Sequence, residues 1–133
     1  MKSDIDIKDD IYRHIMGSSL EQAVTGKVCK RGVRPKGSTD EDIVLSVSSN
    51  ENGQIQEAKV NVNVYVKDDV MRDGQHEEAS IRLKELCVAS AQVLERGIGD
   101  DYLFTLDSQV IIPSESTNEH VISNRLTYKQ NNE

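Results

Sequence analysis

Apolar and polar residues alternate along one stretch of the chain without a break. Ala58, Val60, Val62, Val64 and Val66 interleave with Lys59, Asn61, Asn63 and Tyr65. A period of two over this length predicts a long strand with one dry face and one polar face. Upstream, Ile43, Leu45 and Val47 share one parity, which predicts a strand over Glu41–Ser49. Asn50-Glu51-Asn52-Gly53 separates the two as a turn whose Asn-Gly pair tolerates positive φ. Residues 42–66 therefore predict an antiparallel hairpin.

Helical spacing appears twice more strongly than elsewhere. Ile7, Ile11 and Ile15 recur every four residues after Asp6, a residue suited to capping, and Gly17 suits the end. Ala79, Leu83, Leu86, Cys87, Ser90, Val93 and Leu94 form the core stripe of a helix expected over His76–Arg96, with Gly97 as its stop. Between these, Ser18-Ser19-Leu20-Glu21 reads as a capping box opening a short helix that buries Leu20 and Val24. Lys27–Arg31 reads as a short strand, residues 32–41 as an extended loop, and residues 67–76 as a charged loop. Tyr102, Phe104, Leu106, Val110 and Ile112 share the inward parity of a further strand. Pro113–Asn118 reads as a polar connection. Glu119–Lys129 reads as the last strand, with Ile122, Leu126 and Tyr128 inward.

The predicted order is α-α-β-β-β-α-β-β. This implies an α+β fold: an antiparallel twisted sheet of about five strands with helices packed on one face. All 133 residues are read as a single domain, with frayed tails at about 1–4 and 130–133. The even positions of Val60–Val66 are expected to pack against the Leu83, Leu86 and Val93 side of the long helix. Asn61, Asn63 and Tyr65 then form a polar sheet face suited to contact with another surface.

Composition narrows the function classes. Hydrophobic content is 36% with no Trp and one Phe, so the core rests on Val, Ile and Leu. No apolar run approaches the roughly 18 residues that span a membrane. The opening Met-Lys-Ser-Asp-Ile-Asp lacks a signal peptide's apolar region, so a cytoplasmic protein without a membrane partner is expected. Cys29 and Cys87 match no zinc or redox spacing, and a disulfide is not expected. The net charge of −7 argues against general nucleic-acid binding. Yet Lys27, Lys30, Arg31, Arg34 and Lys36 lie within ten residues with no acid among them. This basic loop reads as a docking surface, an opening that faces DNA, or plain solvated surface. Reversing Arg31 and Arg34 to Glu is expected to leave folding nearly unchanged, since exposed charges contribute little to stability.

Candidate chemistry is weak throughout. His76-Glu77-Glu78-Ala79-Ser80 begins like a zincin helix but lacks the second histidine, so it reads as a solvated helix start. His14 and His120 have no evident third ligand. Gly97-Ile98-Gly99 follows a helix and precedes a strand, the reverse of the dinucleotide fingerprint. Asp100-Asp101 reads as a solvated turn, and no nucleophile elbow surrounds any serine. No catalytic residue, metal site or cofactor is assigned, and an enzyme is not expected.

Several features together resemble a known family. They are the short helix ending at Gly26 and the strand Lys27-Val28-Cys29-Lys30-Arg31 with Arg34-Pro35 after it. The strand Val60-Asn61-Val62-Asn63-Val64-Tyr65-Val66, a long helix and a final hairpin follow. Over about residues 8–129 this pattern resembles the tail-terminator (tail-completion) proteins of long-tailed phages and prophages. The resemblance implies a structural virion assembly protein. Such subunits form a ring, typically a hexamer, that caps the tail tube and meets the head connector. It implies tail-tube and head-connector partners, and passage from the bacterial host's cytoplasm into the virion tail. It supplies no catalytic residues. The acidic start and the asparagine-bearing strand depart from the family pattern. The alternative is a small cytosolic protein- or ligand-binding module without catalysis.

Overall fold

The computed structural model describes residues 1–114 and 117–132. Glu115 and Ser116 of the expected polar connection, and Glu133 of the expected frayed tail, lie outside the described residues.

The first helix, α1 (Asp4–Ile15), is capped by Ser3 rather than Asp6. Ser3 accepts the Asp6 N–H while the Asp6 carboxylate accepts the Ser3 N–H, a reciprocal capping box. Ile7, Ile11 and Ile15 are fully buried, as their spacing predicts. The short α2 (Ser19–Ala23) is capped by Ser18 and buries Leu20 and Val24.

Six strands form one mixed sheet. They are β1 (Val28–Cys29), β2 (Ile43–Glu51), β3 (Ile55–Lys67), β6 (Arg96–Ile98), β7 (Tyr102–Ser114) and β8 (Glu119–Asn131). Their order across the sheet is β1-β2-β3-β8-β7-β6. The expectation of about five antiparallel strands is corrected twice. The chain turns back after Ile98 so that β6 flanks β7, and β1 runs parallel to β2 because a long loop separates them. All other pairings in this sheet are antiparallel. A further pair, β4 (Asp69–Val70) and β5 (His76–Glu77), makes a small ribbon inside the segment read as a loop, turned by Gly74 at φ 84°. His76 and Glu77 therefore precede the long helix, and α3 spans Ser80–Leu94.

The expected register of β3 holds. Val60, Val62 and Val64 are fully buried, whereas Asn61, Asn63 and Tyr65 are half-buried on the opposite face. The three valines join one core with Leu83, Leu86 and Leu94 of α3 and Ile122, Leu126 and Tyr128 of β8. Each such side chain contributes about 1.5–3 kcal/mol through burial.

β7 departs from its expected pattern. Tyr102, Phe104 and Leu106 face the core, but the pairing with β8 slips between Leu106 and Ser108. A bulge at this point reverses the parity beyond it. Gln109, not Val110, then faces inward, where its amide donates to the Cys87 carbonyl and to Asn124 Oδ1. Val110 and Ile112, expected inside, are 54% and 47% exposed.

Two glycines also act differently from expectation. Gly97 does not stop the helix, which ends at Leu94; it lies in β6, where a Cβ would enter the Phe104 ring. Gly53 does not take positive φ in the hairpin turn.

Described residues near both ends make polar contacts with the body of the fold. Lys2 Nζ bridges Asp10 at 2.6 Å and Asp101 at 2.9 Å, and the Tyr128 hydroxyl donates to Asp10 at 2.6 Å. Burial and Asp10 raise the Tyr128 pKa above its ordinary value. Gln130 and Asn131 extend β8, and the Asn132 N–H donates to the Gln54 carbonyl.

Candidate functional site

The basic loop leaves β1 and crosses the outer face of the sheet before entering β2. Gly32 and Gly37 take φ of 79° and 73°, which other residues rarely adopt. A turn closed by Ser38 N–H to Pro35 carbonyl aims Arg34 back at the sheet. The loop's base is closed by Thr25 and Glu41, whose backbone N–H groups each donate to the other's side chain.

Arg34 separates from the other four cations. Its Nε donates to Asp42 Oδ2 at 2.9 Å, and its Nη1 and Nη2 grip both Glu119 oxygens at 2.8 and 2.9 Å. Nη2 also donates to the Asp40 carbonyl. Its guanidinium lies 4.2 Å from the Tyr65 ring centre. The Arg34 side chain is 16% exposed, and Asp42 and Glu119 are 1% and 2% exposed. The Glu119 fork, with Asp42 beside it, raises the Arg34 pKa against the opposing cost of burial. Burial alone would raise Asp42, but the Ser38 hydroxyl, the Lys27 N–H and Arg34 outweigh it and lower its pKa. Arg34 is thus an internal clamp. Reversing Arg34 to Glu would set a third carboxylate beside a buried acidic pair, so a stability cost is expected there in place of the unchanged folding read from the sequence.

The remaining bases face solvent. Lys27, Lys30, Arg31 and Lys36 are exposed. Lys30 pairs with Asp9 at 3.1 Å and lies over the Tyr12 ring. Lys8, from α1, joins Lys30 and Arg31 around a surface hollow of about 440 Å³ that Ile5 and Asp9 also line. Lys8 was not singled out from the sequence, because its place beside the loop depends on α1 packing over β2. Asp42 and Glu119 were missed as well. Glu119 stands 85 residues from Arg34, and no local pattern links them.

The polar sheet face is partly covered. Tyr65 lies beneath Arg34, so it is not open as expected. Asn63 sits between Val44 and Ser123, and Asn61 between Ser46 and Arg125. The row through Tyr65 continues across Val121 to Ile112, and the row through Asn63 continues across Ser123 to Val110. The outer face therefore becomes apolar and more exposed towards β7. Lower down, Lys59 donates to Thr127 at 2.6 Å, and Thr127 donates to Asp107.

The three histidines are apart. A His14 ring nitrogen bonds the Val93 carbonyl at 2.7 Å, His120 bonds Asp68 at 2.6 Å, and His76 is in the ribbon. Among the described residues, no group of three or more His, Cys, Asp or Glu could hold a metal ion. Cys29 and Cys87 are free, and burial pushes both thiols up, away from the reactive thiolate. Asp101 is paired with Lys2, which lowers its pKa. The surface carries a cationic, loop-borne edge on one side of the sheet and an apolar strand on the other. No helix is long and apolar enough to cross a membrane.

No family model matches the chain, and no curated protein matches its sequence. Its fold is similar to that of a chain in the solved structure described as "Virion of native gene transfer agent (GTA) particle". The TM-score is 0.58 at 10% identity, over 93% of this chain and 93% of that chain.

Proposed function

We propose that this chain is a structural assembly protein of a phage-like virion, acting as a ring-forming tail terminator at the junction of head and tail. The observation that carries this reading is the likeness of fold to a chain of a gene transfer agent virion, over nearly the whole of both chains. The distribution of surfaces supports it. A ring joins two different patches on each subunit, and here the two edges of one sheet differ in character, one cationic and one apolar. In this reading the partners are further copies, in a ring that is typically hexameric, together with tail-tube and head-connector proteins. Lys27, Lys30, Arg31 and Lys36 meet acidic surface on a neighbour or line the opening through which DNA passes. Assembly begins in the bacterial host's cytoplasm and ends in the virion tail.

The test is to delete the gene in its producing strain and image the particles. The expected result is filled heads and finished tails that remain unjoined, with joining restored by the wild-type gene. A complementing gene carrying Arg31→Glu and Lys36→Glu is expected to fold and to restore joining poorly. Intact particles at normal yield from the deletion strain would overturn the proposal.

A further inference from the structure

The sheet has two strand edges that its short flanking strands leave uncovered. β1 pairs only with Ile43 and Val44, and β6 only with Leu103–Thr105. Among the described residues, no strand pairs with the outer edge of β2 from Ser46 to Glu51, or of β7 from Asp107 to Ser114. Edge strands are commonly blunted by charge, because an open edge templates another strand. The β7 edge is not blunted by charge: from Ser108 to Ser114 it carries no charged residue, and its one proline, Pro113, stands next to the strand's last residue and leaves Ser108–Ile112 free to pair. It presents Val110, Ile111 and Ile112 at 54%, 40% and 47% exposure.

We propose that copies of this chain add head to tail, the open β7 edge of one copy pairing with the open β2 edge of the next. This rests on the reading as a ring-forming protein and supplies the surface that would close the ring. Three observations favour a second copy as the occupant. First, the antiparallel pairings between β2 and β7 leave these two strands running in opposite directions. A neighbour in the same orientation therefore continues the sheet antiparallel, as its interior already runs.

Second, the two open edges are at opposite ends. Ser46–Glu51 lies beside the start of β3, whereas Asp107–Ser114 lies beside the start of β8. Joining them displaces each neighbour along the strand direction. Such a stagger tilts strands in a closed ring, and the bulges in both strands add the twist that closure needs.

Third, the charges agree with that displacement. The ribbon of β4 and β5 stands beside the β8 start, fixed by Asp68 N–H to the Asn118 carbonyl and by Asp68 to His120. Residues 68–78 hold Asp68, Asp69, Asp73, Glu77 and Glu78 against Arg72 alone. The neighbour's Lys27, Arg31 and Lys36 rise alongside this acidic ribbon. Pairing β7 with another copy's β7 would instead bring the ribbon towards Asp107, a repulsive meeting.

A complementation experiment separates these arrangements. Val110→Lys with Ile112→Lys blocks the β7 edge, and Ser48→Lys with Ser49→Lys blocks the β2 edge. Sedimentation of the wild type is expected to give a mass several times that of one chain. Each blocked variant is expected to sediment as a monomer, and their equal mixture as a dimer, since one intact junction survives. A variant that keeps the wild-type mass alone, a mixture that stays monomeric, or a wild type monomeric at the highest attainable concentration overturns the proposal. Should either variant fail to fold, hydrogen exchange on the wild type decides. Amides in 46–51 and 107–114 are expected to slow at least about tenfold as protein concentration rises; unchanged exchange refutes the pairing. A wild-type oligomer held by other surfaces refutes the pairing while leaving the virion reading intact, and that reading stands or falls on the deletion strain.

Discussion

Removing the Arg34 guanidinium tests the internal clamp directly. Arg34→Ala strips Glu119 of both forked bonds and Asp42 of one, at side-chain exposures of 2% and 1%. Asp42 keeps the Ser38 hydroxyl and the Lys27 N–H. The larger loss therefore falls on Glu119. Removing one partner of a buried pair costs about 3–5 kcal/mol, because a desolvated charge is left uncompensated. The uncovered Tyr65 ring adds little. A loss of about 4 kcal/mol is expected at neutral pH. With an m-value of roughly 2 kcal/mol per molar urea, the midpoint falls by about 2 M. The control is Arg31→Ala, which removes an equal charge from an exposed site and is expected to change stability by less than about 0.5 kcal/mol. Adding Glu119→Gln to Arg34→Ala is expected to recover more than about 1 kcal/mol, because the amide carries no charge. If Arg34→Ala and Arg31→Ala lose the same small amount in urea melts, the clamp reasoning is wrong.

Three further outcomes follow from the same geometry. Val64→Asp places a carboxylate at a fully buried position and is expected to cost several kcal/mol, read as loss of the cooperative urea transition. Asp42 has a pKa below its ordinary 3.8, so its contribution is present above that value and is lost as pH falls through the folded pKa. The melting temperature of the wild type is thus expected to drop more steeply below about pH 4 than that of Asp42→Asn; parallel curves would contradict this. Gly97→Ala drives a methyl into the Phe104 ring and is expected to cost about 1–3 kcal/mol in a thermal melt. Wild-type stability in that variant would mean that β6 shifts freely.

What was legible in the sequence depended on how locally it was specified. β3 was readable because five alternating positions all obey one rule, and a slip by one residue would have exposed every valine. The isoleucines of α1 and the stripe of α3 were readable for the same reason at helical period. β7 was misread beyond Leu106 because Val110, Ile111 and Ile112 are all apolar, so the pattern there has no parity to reveal a bulge. Gly97 looked like a helix stop because its reason for being glycine is a ring seven residues away in the next strand. The parallel pairing of β1 left no local trace at all.

The basic loop shows the limit most clearly. Five cations in ten residues look equivalent in one dimension, yet only Arg34 finds buried carboxylates. A lysine could neutralise those acids, but it could not grip both oxygens of Glu119 while donating Nε to Asp42 and stacking on Tyr65. The clamp therefore does two things to the loop. It consumes the cation nearest the sheet, and it fixes the backbone from which Lys27, Arg31 and Lys36 project. A cationic surface held in this way loses less conformational entropy on meeting a partner than a free loop would. In the proposed function, the internal bridge and the exposed cations it positions act as one device. Weakening the first by Arg34→Ala is expected to slow and weaken subunit association even where the exposed lysines remain.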